Sequence, residues 1–235
     1  MWTERTEMLI GTEGLSRLAA SRVAVIGAGG VGASAAEMLV RAGVGHLTLV
    51  DNDTVGETNI NRQLPALHST VGKSKCAVLR ERFLDINPSL DLRIIEEFVC
   101  EDNVTSLLGT VRYDYVVDAI DTLSPKIALI QYCLSSGIPL VSSMGSGAKT
   151  DATAVRLCDI SKTIECPLAR MIRKRLHHLG IRSGFLAVYS PEKPDKSGMV
   201  IEETRNKKSQ VGTISYMPTV FGCVCAQAAI RGITE

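Results

Sequence analysis

The chain alternates short, β-branched apolar runs with longer stretches whose apolar residues recur at helical spacing. Arg22 to Ile26 is such a run and stops at glycine; Val31 to Ala42 follows with a helical apolar face, and His46 to Val50 is a second run. Lys75 to Ile86 predicts a helix with Ala77, Val78, Leu79, Phe83, Leu84 and Ile86 as its core face, ended by Asn87-Pro88. Leu92 to Phe98, Tyr113 to Ile120 and Pro139 to Ser143 predict three further strands, the last two separated by a helix opening near Ser124-Pro125. A helical arm is expected over about residues 1–20. Strands alternating with helices imply an α/β fold: a Rossmann-like, mostly parallel sheet with helices on both faces and right-handed crossovers.

Past about residue 150 the pattern loosens. Ala154 to Leu157 and Phe185 to Ser190 read as strands, Pro167 to Leu179 as a helix, and the charged, turn-rich stretch from Pro191 to Gln210 as a mobile loop. Gly212 to Met217 is expected to return to the sheet before a closing apolar helix from Thr219 to Arg231. At 235 residues, with 45% hydrophobic and 22% charged positions, the chain fits a single domain spanning 1–235. No run approaches the roughly 18 apolar residues that span a bilayer, and Met1-Trp2-Thr3-Glu4-Arg5 lacks a signal peptide's layout, so no membrane association and a cytoplasmic location are expected. The seven cysteines are odd in number and mostly lie in apolar segments, which argues against structural disulfides. The Cys223-Val224-Cys225 pair is too tight for the usual zinc spacing and has no second pair to complete it.

Chemistry enters at Gly27-Ala28-Gly29-Gly30-Val31-Gly32, which follows the first strand and opens the first helix of the sheet. Glycines at Gly27, Gly29, Gly30 and Gly32 let the backbone turn sharply and approach a phosphate, whose charge meets the free amides of the helix N-terminus. Asp51, closing the second strand, suits ribose hydroxyls. These residues alone fit a nicotinamide or flavin dinucleotide as well as ATP, and an NAD-dependent oxidoreductase remains the alternative at this point.

The segment after Asp51 favours a triphosphate. Asn59-Ile60-Asn61-Arg62-Gln63 concentrates amides and a guanidinium where a dinucleotide enzyme needs only its next crossover helix, and Lys75 follows with a point charge. Asp118-Ala119-Ile120-Asp121 ends a strand where ligands bind on open α/β sheets; a carboxylate there can face a departing pyrophosphate if magnesium lies between. Taken singly, Arg62 and Lys75 also read as solvated charges and Asp121 as a helix cap.

These motifs, with Leu49-Val50-Asp51-Asn52-Asp53 and Gly72-Lys73-Ser74-Lys75, resemble the ubiquitin-activating-like adenylyltransferases that include the bacterial molybdopterin- and thiamine-biosynthesis activating enzymes. The resemblance implies ATP and Mg2+ as cofactors. It puts Asp51 on the ribose, Asp53, Asn59, Arg62, Gln63 and Lys75 around the nucleotide, and the metal on Asp121. It also implies a homodimer in which Arg5 reaches the partner's triphosphate, so that Arg5, Arg62, Lys75 and Asp121 form the catalytic set. The 191–210 loop has no cysteine, which removes a thioester there; Cys158 and Cys166 read as structural, with Cys166 the more open to a reactive role.

Lys162, Arg170, Arg173, Lys174 and Arg175 form a basic cluster that suits a phosphate backbone, although a solvated helix face explains it too. Asp159-Ile160-Ser161-Lys162-Thr163 and Pro167-Leu168-Ala169-Arg170 resemble the branch that dehydrates threonylcarbamoyladenosine in tRNA, where Ala187 stands at a position some members give to cysteine. That branch implies carboxylate adenylation followed by cyclisation. The alternative within the family is adenylation of a ubiquitin-like sulfur carrier's C-terminal glycine, with a sulfur-transfer or ubiquitin-like protein as partner.

Overall fold

The computed structural model describes residues 1–195, 199–200 and 210–235; most of the expected mobile loop, 196–198 and 201–209, lies outside the described residues. In chain order the elements are α1 (Glu4–Ala20), β1 (Arg22–Ile26), α2 (Gly30–Ala42), β2 (His46–Val50), α3 (Lys75–Ile86), β3 (Asp91–Ile95), α4 (Val104–Leu108), β4 (Tyr115–Asp118), α5 (Leu123–Ser135), β5 (Leu140–Ser143), β6 (Arg156–Asp159), α6 (Pro167–His178), β7 (Leu186–Tyr189), β8 (Met199–Val200), β9 (Gln210–Val211) and α7 (Tyr216–Thr234). Seven strands form one sheet in the order β3-β2-β1-β4-β5-β7-β6, parallel throughout except for β6, which pairs antiparallel with β7 at the edge. The α/β, mostly parallel expectation is met.

Alternation along each strand sends side chains to two cores. Val23, Val25, Leu47, Leu49, Val117 and Val141 meet α2, α3 and α7 on one face. Ala24, Ile26, Val50, Val116 and Leu140 meet α4, α5 and α6 on the other. Small residues bring α2 and α7 together: Ala33, Ala35 and Ala36 are fully buried, and a Cβ on Gly222 would lie 2.5 Å from the Val31 carbonyl oxygen.

One charged side chain is built into this layer. Glu37 on α2 accepts from Arg82 on α3 at 2.6 and 3.0 Å and from Arg41 at 2.8 Å, tying two helices together. Burial pushes its carboxyl up, but the two guanidiniums outweigh burial and hold it below its ordinary 4.5. Because the folded state binds fewer protons at Glu37 than the unfolded chain, its stabilisation is complete above about pH 4.5 and fades as pH falls through the lower folded value. Glu37→Gln should therefore flatten the acid limb of urea midpoint against pH. An unchanged limb would remove Glu37 from the acid response.

Several boundaries shift from the sequence pattern. The strand expected over Leu92 to Phe98 covers only Asp91–Ile95, since its partner β2 ends at Val50, paired with Ile95. That expected over Tyr113 to Ile120 shortens to Tyr115–Asp118: the Asp114 carboxylate accepts from the Arg22 amide at one end and Asp118 from the Ile120 amide at the other. Ala154 begins no strand, because Asp151 accepts from both the Thr153 amide and hydroxyl and closes a 3-10 turn over Ala152–Ala154. Gly212 to Met217 does not rejoin the sheet. Gln210 and Val211 pair with Val200 and Met199, and α7 opens at Tyr216, with Pro218 in a first turn that needs no proline N–H. The described start of the 191–210 segment is anchored: Glu192 accepts from the Thr150 and Asp151 amides, and the buried Lys149 ammonium donates to the Ser190 carbonyl at 3.0 Å.

Candidate nucleotide-binding site

The sheet order reverses between β1 and β4, so the loops leaving their carboxyl ends diverge and open a crevice, the position where ligands bind on such sheets. On one side stands the glycine turn, on the other Ala119 to Asp121. Gly27 sits in the left-handed region at φ +98°, and a Cβ there would lie 2.8 Å from the Ala119 carbonyl oxygen; one on Gly32 would lie 1.7 Å from the Gly27 carbonyl oxygen. Both glycines are therefore sterically required, and the first turn of α2 is left with amides directed at the crevice.

Asp51, just past β2, fixes this turn from the side. Its carboxylate accepts from the Ala28 amide at 2.6 Å and from the Asp53 amide at 2.7 Å. Asp53 in turn holds the Lys75 ammonium at 2.8 Å, with the lysine side chain only 6% exposed and the aspartate 62%. Lys75 thus reaches the site with one carboxylate partner that faces solvent. Burying an ammonium at α3's start is tolerable because Asp53 compensates its charge.

The segment from Gly56 folds over the same crevice. Asn59 accepts from the Gly56 amide at 3.1 Å and so shapes its 3-10 turn, while Arg62 is steered by the Thr58 carbonyl and the Asn61 side chain, both at 2.8 Å. Gln63 carries the orphan of the region. Its Oε1 is buried without a hydrogen-bond partner, and its Nε2 would be 3.8 Å from a Cβ on Gly29. An unsatisfied buried amide oxygen costs about 1–3 kcal/mol, so its position against the glycine turn marks a place where a polar ligand group fits. Glycine cradle, orphaned amide, two cations and a carboxylate at β2's end suit a nucleotide with its phosphates.

Asp121 is exposed at the opening of α5, three residues past Asp118, and has partners of its own. Arg5 lies exposed in the first turn of α1, and among the described residues no side-chain hydrogen bond joins it to the crevice. The basic residues spread over several faces. Lys174 and Arg175 are solvent-exposed, Arg170 is exposed to one flank, Arg173 bonds the Thr163 hydroxyl, and Lys162 lies in the turn before α6.

Two features were not legible as site components in the sequence. Asp118, Lys126 and Ser142 form a fully buried network: Asp118 Oδ2 takes the Lys126 ammonium at 2.7 Å and the Ser142 hydroxyl at 2.6 Å, directly under the turn that carries Asp121. The available signal was a lysine immediately before the apolar run Ile127 to Ile130. The second is the approach of the distant C-terminal segment: Asn61 donates to the Thr213 carbonyl, and Pro218 stands 2.8 Å from a Cβ on Gly30. No local pattern announces a contact across so much chain.

Burial raises several thiols above their ordinary range. Burial, with the Asp118 charge adding to it, pushes Cys133 up to about 12; burial also raises Cys225 and, against a Tyr189 hydrogen bond, Cys158. Cys166 is 4% exposed. No helix of the described residues is long and apolar enough to cross a membrane.

Comparisons with known proteins agree with this architecture. A profile of the ThiF family matches residues 3–235. The chain is 41% identical over 228 residues to the tRNA threonylcarbamoyladenosine dehydratase of Bacillus subtilis (strain 168), covering 94% of this chain and 89% of its relative. It is 44% identical over 178 residues to the protein of that name from Escherichia coli (strain K12), covering 74% of this chain and 66% of its relative. Among solved structures, E. coli tRNA N6-threonylcarbamoyladenosine dehydratase, TcdA, in complex with ATP matches with a TM-score of 0.89 at 37% identity, over 97% of this chain and 92% of that one. E. coli MccB with ATP, at 18% identity and a TM-score of 0.66, shares the fold. By nearly its whole length and by the arrangement of its glycine crevice, this chain belongs to the ThiF family.

Proposed function

We propose that the chain is an ATP-dependent tRNA threonylcarbamoyladenosine dehydratase. The observation that carries this reading is its likeness, over 97% of the chain, to a dehydratase solved with ATP, joined to a crevice whose residues suit a nucleotide. The glycine turn and Gln63 receive the nucleotide, Asp51 the ribose, and Asn59, Arg62 and Lys75 the phosphates, with Asp53 holding Lys75 in place until phosphate competes for it. The modified nucleoside's carboxylate attacks the α-phosphorus, forming an acyl-adenylate as pyrophosphate leaves. A nucleophile of the same side chain then attacks the acyl carbon, a ring closes, and AMP departs with the oxygen that water would have carried. Cyclisation needs no enzyme thiol, in keeping with the burial of Cys76, Cys133, Cys166 and Cys225.

Arg62 and Lys75 stabilise the charge that develops on the leaving pyrophosphate. Asp121 is the carboxylate that would hold Mg2+, which takes few protein ligands beside phosphate oxygens and water and would neutralise the same charge. Lys162, Arg170, Lys174 and Arg175 would meet tRNA phosphates, with Arg173 ordering the turn before α6. A homodimer fits the apolar side chains exposed on and before α1, where Met8 and Leu9 are 81% and 86% exposed; Arg5 would then act in the partner's site.

Mass spectrometry of tRNA nucleosides after incubation with enzyme and ATP tests the reading. The expected result is loss of one water from threonylcarbamoyladenosine, dependent on ATP; unchanged nucleosides would reject it. Asp121→Ala should slow pyrophosphate release by about 100-fold or more, the scale of losing one preorganised charge partner. Release at the wild-type rate would remove Asp121 from the metal assignment.

A further inference from the structure

A second cleft, of about 430 Å3, lies beside the nucleotide crevice and is lined by Leu123, Met171, Lys174, Arg175 and His178. Leu123 is the first residue of α5, two positions after Asp121. The other four belong to α6 at spacings of three, four and seven, so they form a single stripe along the helix. That stripe is turned away from the helix's buried side chains, Ala169, Ile172 and Leu176. Lys174 and Arg175 make no ion pair or side-chain hydrogen bond among the described residues, and Met171 on the same stripe is 47% exposed.

A solvated charged face does not require an apolar wall. This cleft has both, one thioether and one leucine beside two unpaired cations and an imidazole. Such a combination matches a nucleotide unit, whose phosphodiester is anionic and whose base is an apolar plate with polar edges. Leu123 ties the cleft to the crevice, since it follows Asp121 by two residues at the opening of α5.

We propose that the cleft is a subsite for the RNA nucleotide next to the reacting nucleoside. Lys174, Arg175 and His178 take its phosphodiester, and Leu123 and Met171 its base. The proposal rests on the tRNA reading above and adds Leu123, Met171 and His178 as specificity-determining residues. It also predicts that the free modified nucleoside is a poor substrate beside an RNA stem-loop carrying it, since the free nucleoside leaves the cleft unfilled.

Fluorescence anisotropy with a labelled RNA stem-loop carrying the modified nucleoside, over a salt series, reads the cleft independently of turnover. K174A/R175A should lower the slope of log affinity against log salt by about 0.7, the loss of one phosphate contact on a single strand. R80A/R93A, which removes two exposed charges near the β3 edge, should leave the slope as in wild type. Met171→Glu should raise KM for the stem-loop about 10-fold or more while ATP binding, followed by calorimetry, stays constant. A wild-type slope in K174A/R175A, or an equal fall in R80A/R93A, would overturn the subsite; an acidic protein segment would then be the better occupant. A wild type whose slope depends on the cleft but which dehydrates no nucleoside would instead sink the dehydratase reading and leave an RNA-binding cleft.

Discussion

Lys126→Met should lower the stability of the folded chain by about 3–5 kcal/mol, the usual result of stripping one partner from a buried ion pair. Lys126 and Asp118 are both fully buried, with the ammonium 2.7 Å from Asp118 Oδ2 and 3.1 Å from the Ser142 hydroxyl. Removing the amine leaves the Ser142 hydroxyl and the Ile120 amide as the carboxylate's remaining hydrogen bonds, too little for a charge shut away from water. For a chain of this length each kcal/mol moves the thermal midpoint about 2–4 °C, so a fall of roughly 10 °C is expected by differential scanning fluorimetry. D118N/K126M should recover much of that loss, because the uncompensated charge goes with its partner and an amide oxygen still accepts from Ile120. A single variant within about 2 °C of wild type would show that the pair carries no such burden.

Why a chain keeps a buried ion pair here follows from what sits above it. Oδ1 of Asp118 accepts from the Ile120 amide at 3.1 Å, and that turn delivers Asp121 to the opening of α5. A hydrophobic pair of equal volume would pack the core as well, but it would leave the turn without its acceptor. The network is thus local to the crevice. Its cost is offset by the sheet around it, since Asp118 ends a strand paired on both sides, with Ile26 and Ser142.

The parts of the site that sequence disclosed are those whose chemistry is local. The glycine turn, Asp51 and the Asn59 to Gln63 segment each occupy a short stretch between periodic elements, so their residue types stand out against strand and helix patterns. Strand limits were less legible because they depend on partners: β3 ends where β2 runs out of rungs, and Asp151 overrides apolar neighbours by closing a turn on Thr153. The C-terminal wall of the crevice was hidden for the same reason. Gly212 to Met217 has strand-like composition, yet Asn61 and the Ala148 amide take the Thr213 and Gly212 carbonyls and spend the backbone on loops instead. Lys126 was concealed by its surroundings, an apolar helix in which one lysine passes for a surface residue.

Gly32→Ala should abolish ATP binding with little gain from any local adjustment. Its Cβ would stand 1.7 Å from the Gly27 carbonyl oxygen, 2.8 Å from the Gly27 carbonyl carbon and 3.0 Å from the Ala119 side chain, so the obstacle is mostly backbone. Relief requires α2 to move off β1 or the turn to open. The first is opposed by α7, whose Gly222 is packed against Val31 and Ser34 on the same helix. The turn is the weaker side, held at Ala28 by the single Asp51 contact of 2.6 Å. Opening it pulls the amides away from the phosphates and releases Asp51 from the geometry that faces the ribose. Calorimetry with ATP should therefore show at least a 100-fold loss of affinity, about 2.7 kcal/mol, while circular dichroism retains the α/β signature. Gly72→Ala serves as the contrast: Gly72 also has positive φ, +84°, but a Cβ there meets nothing within 4 Å, so only backbone strain of about 1–2 kcal/mol is imposed and nucleotide affinity should hold. If Gly32→Ala bound ATP as tightly as Gly72→Ala, the glycine turn would not be the phosphate cradle, and the cations at Arg62 and Lys75 would have to hold the nucleotide without it.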